Sequence, residues 1–282
     1  MPESAELRIM SDFINKMSDG VEFHNIKKSD VSKVKTDLSL VEKLPVTIQA
    51  ESRGKELFIS LSDPLFTTPY ETGLLVTMGM SGNWVAVHKE SSIPKHSHLI
   101  FEGIHREGRD PVYLCLMDIR RFAKWSWKTG FSSNRGPCPV KENEKFKTNF
   151  YEKMKTDKKL SKTPLLDALM NQAFFNGIGN YLRAEIVHRA EVNPFQLMST
   201  FTPVELEKIL LWCQKCPIEA YQIGGGQMKD WKNSFNIEPQ TFQDWRKVYG
   251  KGESLEDRGG RTFWYEAKWK ESDEYKAYVG DI

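Results

Sequence analysis

Between residues 21 and 118 this chain carries seven short apolar runs, at 21–28, 46–52, 55–61, 73–80, 83–88, 97–104 and 111–118. Each is rich in Val, Ile, Leu and Phe, and each is broken by Gly, Pro, Asn or Asp. That is the pattern of strands joined by tight turns, and seven in succession predict an antiparallel β-sandwich. A helix precedes them. Leu7, Met10, Phe13, Ile14 and Met17 fall on one face of a helical projection over 6–17. It begins almost at the chain terminus, so the amine of residue 2 is held in fixed geometry.

The texture changes between about 136 and 162, where GPCPVKENEKFKTNFYEKMKTDKKLSK is polar, lysine-rich and partly helical. It reads as the connection to a second domain, its lysines forming a solvated face. Beyond it the chain is mostly helical. Thr163-Pro164 reads as an N-cap with proline at the first helical position, opening the run LLDALMNQAFF. Thr202-Pro203-Val204-Glu205 repeats the signal with a complete capping box, opening a helical run over 204–221. The last forty residues return to short strands around YGKGES and DRGGRTFW, a small C-terminal β-hairpin. The fold class is therefore α+β. The predicted organisation is 1–140 as the sandwich domain, 141–162 as a linker, and 163–282 as a helical domain ending in the hairpin.

At 282 residues there is enough chain for two cores. A composition 39% hydrophobic and 28% charged is that of a soluble globular protein, and no stretch approaches the roughly 20 apolar residues of a membrane helix. MPESAELRIMSDF lacks the basic patch and apolar run of a signal peptide, so an intracellular protein is expected. A net charge of +2 permits nucleic-acid binding without arguing for it. Four cysteines make no disulfide framework. Cys213 and Cys216 form a C-x-x-C, but a structural zinc usually takes two such pairs, and Cys115 and Cys138 lie far away. The pair shares one face of a predicted helix, and helix cysteines are the favoured reading.

The most informative internal segment is FFNGIGNYLRAEI at 174–186. Gly177 and Gly179 make a tight turn and Asn180 starts the next helix. Free N–H groups and the dipole at a helix N-terminus attract a phosphate, glycines allow it close, and an asparagine adds a donor. The same pattern also suits a packed helix–turn–helix corner.

At this point the chain resembles a known family almost end to end. The matching blocks are MPE with Glu6 three residues on, SRGKEL at 52–57, MGMSG at 78–82 and HSHL at 96–99. They continue with DIRRFAKW at 118–125, RGPC at 135–138, FFNGIGNYLRAEI at 174–186 and DRGGRTFW at 257–264. Together, in this order, they resemble the Fpg/Nei family of bifunctional DNA glycosylases, in particular its eukaryotic endonuclease VIII-like branch. The resemblance implies an N-terminal β-sandwich flanked by helices, then a helix–two-turns–helix domain with a terminal β-hairpin. In most members that hairpin is a zinc finger. Here no cysteine follows Cys216, which implies a zincless finger held by packing, with Phe263 and Trp264 as fillers and no metal.

A glycosylase that is also a lyase needs an amine that attacks the sugar C1′ and forms an imine. A lysine is mostly protonated at neutral pH, whereas an α-amino group titrates near 8. Pro2 supplies a secondary amine once Met1 is removed. The resemblance implies acid–base steps at the sugar for Glu3. Glu6, one turn on, orients the nucleophile or favours the helix N-terminus, and both readings can hold. Lys55 matches the family's basic residue that contacts a phosphate near the lesion and assists elimination. Asn180 and Arg261 match the pair that grips the phosphates flanking the everted nucleotide. Met80, Arg120 and Phe122 match the triad that fills the gap left by the extracted base. Periodicity alone would put Met80 and Phe122 in the core, but both lie at turn-like strand ends. His96 and His98 share one side of a strand, and without a third ligand a structural role is favoured.

Three departures bear on substrate choice. Ser4 and Ala5 replace the usual Gly-Pro, Gly226 stands where a basic residue is frequent in the lesion-capping loop at 223–233, and Gln243 replaces an arginine that contacts the damaged base. The expected activity is excision of oxidised pyrimidines, ring-opened purines and hydantoins, followed by β and δ elimination, with no cofactor. The expected partner is damaged DNA, double-stranded or also single-stranded or bubble, bound by a monomer. A nuclear address follows from the resemblance alone. The rival reading is a non-catalytic damaged-DNA or RNA-binding module built on the helix–two-turns–helix element.

Overall fold

The computed structural model describes residues 2–38, 44–65, 69–108, 110–226, 232–237 and 240–280, with Gln240 as backbone only. The chain divides into two compact units. Unit 1 comprises Met1–Ser132 and Gly224–Glu238, and unit 2 comprises Ser133–Ile223 and Pro239–Ile282. No helix among the described residues is long and apolar enough to cross a membrane.

Unit 1 opens with α1 (Ser4–Ser18), followed by β1 (Val21–Lys28), β2 (Thr47–Arg53), β3 (Glu56–Ser62) and β4 (Gly73–Thr77). Then come β5 (Asn83–Val87), β6 (Ser97–His105), β7 (Pro111–Met117) and β8 (Lys124–Lys128). They form two four-stranded antiparallel sheets, in the orders β1-β6-β7-β5 and β2-β3-β4-β8. All seven sequence-predicted strands are present. The eighth, KWSWK, overlaps the end of the DIRRFAKW block. β4 stops at Thr77 rather than 80, because Gly79 adopts φ +59° and turns the chain.

The apolar face of α1 is buried, with Leu7, Met10 and Ile14 at most 1% exposed. The helix also hydrogen-bonds to β2. Ser11 Oγ and Asn15 Nδ2 donate to Ala50 O (both 2.9 Å), Ala50 N donates to Asn15 Oδ1 (2.7 Å), and Ser18 Oγ donates to Ile48 O (3.4 Å). Because Ser18 meets Ile48 while Ser11 meets Ala50, helix and strand run antiparallel. The N-terminus of α1 and the β2–β3 turn therefore lie at the same end of the unit.

Unit 2 holds α2 (Asn143–Thr156), α3 (Lys158–Ser161), α4 (Leu165–Ala168), α5 (Asn180–Ala190), α6 (Pro203–Gln222), α7 (Gln240–Trp245), the hairpin β9 (Glu253–Glu256) and β10 (Thr262–Tyr265), and α8 (Asp273–Gly280). The capping box at Thr202 is formed, with Thr202 Oγ1 accepting from Glu205 N at 3.3 Å and Glu205 Oε2 accepting from Thr202 N at 2.8 Å. Cys213 and Cys216 are buried in α6, and burial pushes both thiols well up from the ordinary range. The hairpin packs through Phe263 and Tyr265 against Phe195, with ring centroids 6.4 and 5.1 Å apart.

Five expectations need correction. The domain boundary falls at 132/133, not near 140. Residues 141–162 are no linker, because Phe146 and Phe150 on α2 are fully buried, 6.1 and 5.7 Å from the Phe175 ring. The helix expected over LLDALMNQAFF is confined to α4. Beyond it polar amides turn the chain, with Ala173 N donating to Asn171 Oδ1, Gly177 N to Gln172 Oε1, and Asn176 Nδ2 to Gly136 O. The N-cap of α4 is Pro164, since Thr163 Oγ1 donates backwards to Lys159 O at 2.8 Å. Finally, residues 224–238 belong to unit 1 rather than the helical domain. Ser234 Oγ donates to Asn83 Oδ1 (3.1 Å) and Trp84 O (2.9 Å), and the Phe235 ring meets Phe13 edge-on at 5.4 Å.

Candidate functional site

The sequence-predicted nucleophile sits immediately before the N-cap of α1. Pro2 is buried, Glu3 is the N-cap and Glu6 the third helical residue of a capping box. A carboxylate in the first turn suits the positive end of the helix dipole. Glu6 has a second task that the sequence did not reveal. Its Oε2 accepts from Glu3 N and its Oε1 from Gly226 N, both at 2.6 Å, and the side chain is fully buried. One carboxylate thus ties the start of α1 to a loop 220 residues away in sequence. Gly224 and Gly225 adopt φ +92° and +79°, a region that bulky residues avoid, and so bring the Gly226 N–H into reach. Gly226 therefore acts through its backbone. The rest of the predicted lesion-capping loop, 227–231, lies outside the described residues, as does Met1.

Lys55 occupies the two-residue turn between β2 and β3, after Gly54 at φ +57°. Glycine at the first central position is what a II′ hairpin requires. The turn stands at the same end of unit 1 as Pro2. Its neighbour Glu56 faces the protein, only 2% exposed, and accepts from the Ser132 amide and hydroxyl.

Met80, Arg120 and Phe122 come together on two touching turns. A Cβ built on Gly79 would lie 2.5 Å from Phe122 Cβ, so only glycine lets the turns approach this closely. The Arg120 guanidinium lies over the Phe122 ring at 5.1 Å, and Phe122 is 47% exposed. The organiser is Asp118, which the sequence did not single out. Its fully buried carboxylate accepts from Arg120 N (3.1 Å), Phe122 N and Ala123 N (2.6 Å each) and Ser81 Oγ, joining both turns. Between Arg120 and Phe122, Arg121 takes φ +60°, an uncommon conformation for a long side chain. His98 serves this turn structurally, its Nε2 2.7 Å from Asp118 O.

In unit 2, Asn180 is the first residue of α5, after Gly177 at φ +99° and the extended N-cap Gly179. Its side chain is already engaged. Nδ2 donates to Thr262 O at 2.9 Å, and Oδ1 accepts from Arg183 Nε (3.1 Å) and Nη2 (2.6 Å). Arg183 is fully buried and pairs with Asp257 Oδ2 at 2.7 Å, beneath the Phe263 ring. Asp257 Oδ1 in turn accepts from Gly259 N and Arg261 N, both at 2.9 Å. The ion pair thus fixes the hairpin turn to the N-terminus of α5, bringing Asn180 beside the residue after Arg261. The Arg261 side chain remains exposed. Arg183 and Asp257 stand inside the quoted blocks, but nothing in their spacing announces a buried pair. Gln243 lies on α7, its carbonyl accepting from Lys251 Nζ at 2.7 Å.

Known proteins are similar to this chain in sequence and in fold. Residues 1–125 match the formamidopyrimidine-DNA glycosylase N-terminal domain. Endonuclease 8-like 1 of Homo sapiens is 33% identical over 292 residues, covering 94% of this chain and 72% of that protein. A formamidopyrimidine-DNA glycosylase from Wolbachia sp. subsp. Brugia malayi is 26% identical over 261 residues, 89% of each. The Lactococcus lactis Fpg solved with an oxidised-pyrimidine-containing DNA aligns over 96% of this chain and all of that one, with a TM-score of 0.76 and 19% identity. The Thermus thermophilus Fpg gives a TM-score of 0.75 over 95% and 98% of the two chains, at 21% identity. These two solved structures speak for the fold, whereas the human relative, one-third identical along nearly the whole chain, speaks for descent. This chain belongs to the Fpg/Nei family of DNA glycosylases.

Proposed function

We propose that the protein is a bifunctional DNA glycosylase and abasic-site lyase that removes oxidised pyrimidines, formamidopyrimidines and hydantoins in base excision repair. The observation that carries this reading is the start of α1, where Pro2 directly precedes two buried carboxylates, Glu3 and Glu6. With Met1 removed, the Pro2 nitrogen lone pair attacks C1′ and the bond from C1′ to the base breaks. The base leaves with a proton, the proline nitrogen gives up its own proton, and the C1′–O4′ bond then opens with O4′ taking a proton, so that a covalent ring-opened iminium remains. Glu3 moves protons at the sugar. Loss of a C2′ proton then expels the 3′ phosphate, and a second elimination expels the 5′ phosphate, leaving a one-nucleotide gap with phosphate at both ends. Water finally releases the sugar fragment from Pro2. None of these steps calls for a metal or an organic cofactor.

Lys55 contacts a phosphate near the lesion and assists elimination. Asn180, in a helix–two-turns–helix element, and Arg261, on a zincless finger, grip flanking phosphates. Met80, Arg120 and Phe122 occupy the space of the everted nucleotide. The protein acts as a monomer on damaged duplex and also on single-stranded or bubble DNA, with a nuclear address. Oligonucleotides carrying thymine glycol, a formamidopyrimidine, a hydantoin or an abasic site test this directly. Incision with phosphate at both new ends is the expected result. Tight binding without incision of any of them would favour the non-catalytic module instead.

A further inference from the structure

Unit 1 contains a cavity of about 560 Å³ on the β2-β3-β4-β8 sheet, whose lining includes none of Pro2, Glu3, Glu6, Lys55, Met80, Arg120 and Phe122. Its lining follows from register. β8 is an edge strand, and its alternate residues Lys124, Ser126 and Lys128 share a face with their partners Thr77, Leu75 and Gly73. The far wall is the segment after β1, strapped beside β8 by Thr36 Oγ1 donating to Trp125 O and Trp127 Nε1 donating to Asp37 O, both at 2.7 Å. That strap brings Lys33 and Lys35 to the rim, and Arg121 joins from the left-handed turn.

The charge around this cavity is one-sided. Lys33, Lys35, Arg121, Lys124 and Lys128 all line it, and none makes an ion pair among the described residues. The one carboxylate in the lining, Glu56, is turned towards Ser132. Five cations held around one concavity, none of them ion-paired among the described residues, repel each other, and an anion relieves that repulsion. The floor, in contrast, is apolar at Leu75 and Ala123. A cavity of this size takes a ligand with a ring as well as a charge, and a guanidinium plane such as that of Arg121 stacks on a base.

We infer that this cavity is a second nucleotide site, one that takes an unpaired nucleotide, its phosphate held by the lysines and its base over the apolar floor. Arg121 lies between Arg120 and Phe122 in sequence, which favours a nucleotide within a DNA strand over a free one. The lining contains neither Pro2 nor Glu3, and the site is tested apart from their chemistry.

The test is equilibrium binding to the whole protein of a 5′-phosphorylated single-stranded trinucleotide, of dTMP and of inorganic phosphate, at low salt. It compares the parent with the Lys35→Glu, Lys128→Glu double variant, and scores borohydride trapping on a blunt abasic duplex in parallel. The expected results are saturable trinucleotide binding, competition by dTMP, at least roughly tenfold weaker binding in the variant, and unchanged trapping. Stronger binding of dTMP than of the trinucleotide assigns the site to free nucleotides and overturns the strand assignment. Competition by phosphate as effective as by dTMP overturns the nucleotide assignment in favour of a plain anion. Absent binding, or binding unchanged by the charge reversals, overturns the site itself. Trapping lost from the parent bears on the catalytic reading alone.

Discussion

Glu6 shows how much a single carboxylate can hold. Both oxygens are used by backbone N–H groups, one at the start of α1 and one in the 224–226 loop. Replacing it by Gln keeps the shape but turns an NH2 towards one of those donors, and an unsatisfied buried donor costs about 1–3 kcal/mol. Glu6→Gln is therefore expected to slow base excision roughly tenfold or more, while trapping on a preformed abasic site falls less; single-turnover assays on the two substrates measure both. Asp118 plays a comparable part for Met80, Arg120 and Phe122. Asp118→Ala leaves several donors facing a void and should lower stability by about 2–3 kcal/mol, read by urea unfolding. Arg261 is the contrasting case. Its side chain is exposed, so Arg261→Ala should leave the melting temperature unchanged, weaken duplex binding at all sequences, and reduce the salt slope of log K by about one phosphate contact.

At the scale of elements, the hairpin and α5 are joined by a buried ion pair. Breaking such a pair from one side costs about 3–5 kcal/mol, because the remaining charge stays buried. Asp257→Asn should thus destabilise unit 2 by that order and also free the turn bearing Arg261. Thermal unfolding and DNA binding should fall together, unlike in Arg261→Ala. What could be read in advance follows the range of the forces involved. Strands, the α1 stripe and the Thr202 capping box are local patterns, and the sequence displays them. The Arg183–Asp257 pair, the Asp118 clamp and the Glu6–Gly226 bond join distant residues, and no spacing rule announces them. The composition of α2 misleads because lysines dominate it, although Phe146 and Phe150, one helical turn apart, are the sign of a packed face. The Lys124–Lys128 strand is obscured because its first residues belong to the DIRRFAKW block and follow a turn.

At the scale of the molecule, the chain builds unit 1, leaves it at Ser132, and returns for residues 224–238 before completing unit 2. The return supplies the Gly226 amide to Glu6, so the setting of the N-terminus depends on a segment far along the chain. With a net charge of only +2, affinity for DNA must come from where the cations stand. The central claim concerns one atom, the nitrogen of Pro2. Borohydride reduction of the protein on an abasic duplex, followed by peptide mapping, tests it most directly. The expected result is one covalent adduct, on the peptide beginning at Pro2, abolished by blocking the N-terminal amine and retained in Lys55→Ala at a reduced rate. An adduct mapped to a lysine, or no adduct from protein whose N-terminus is Pro2, would contradict it.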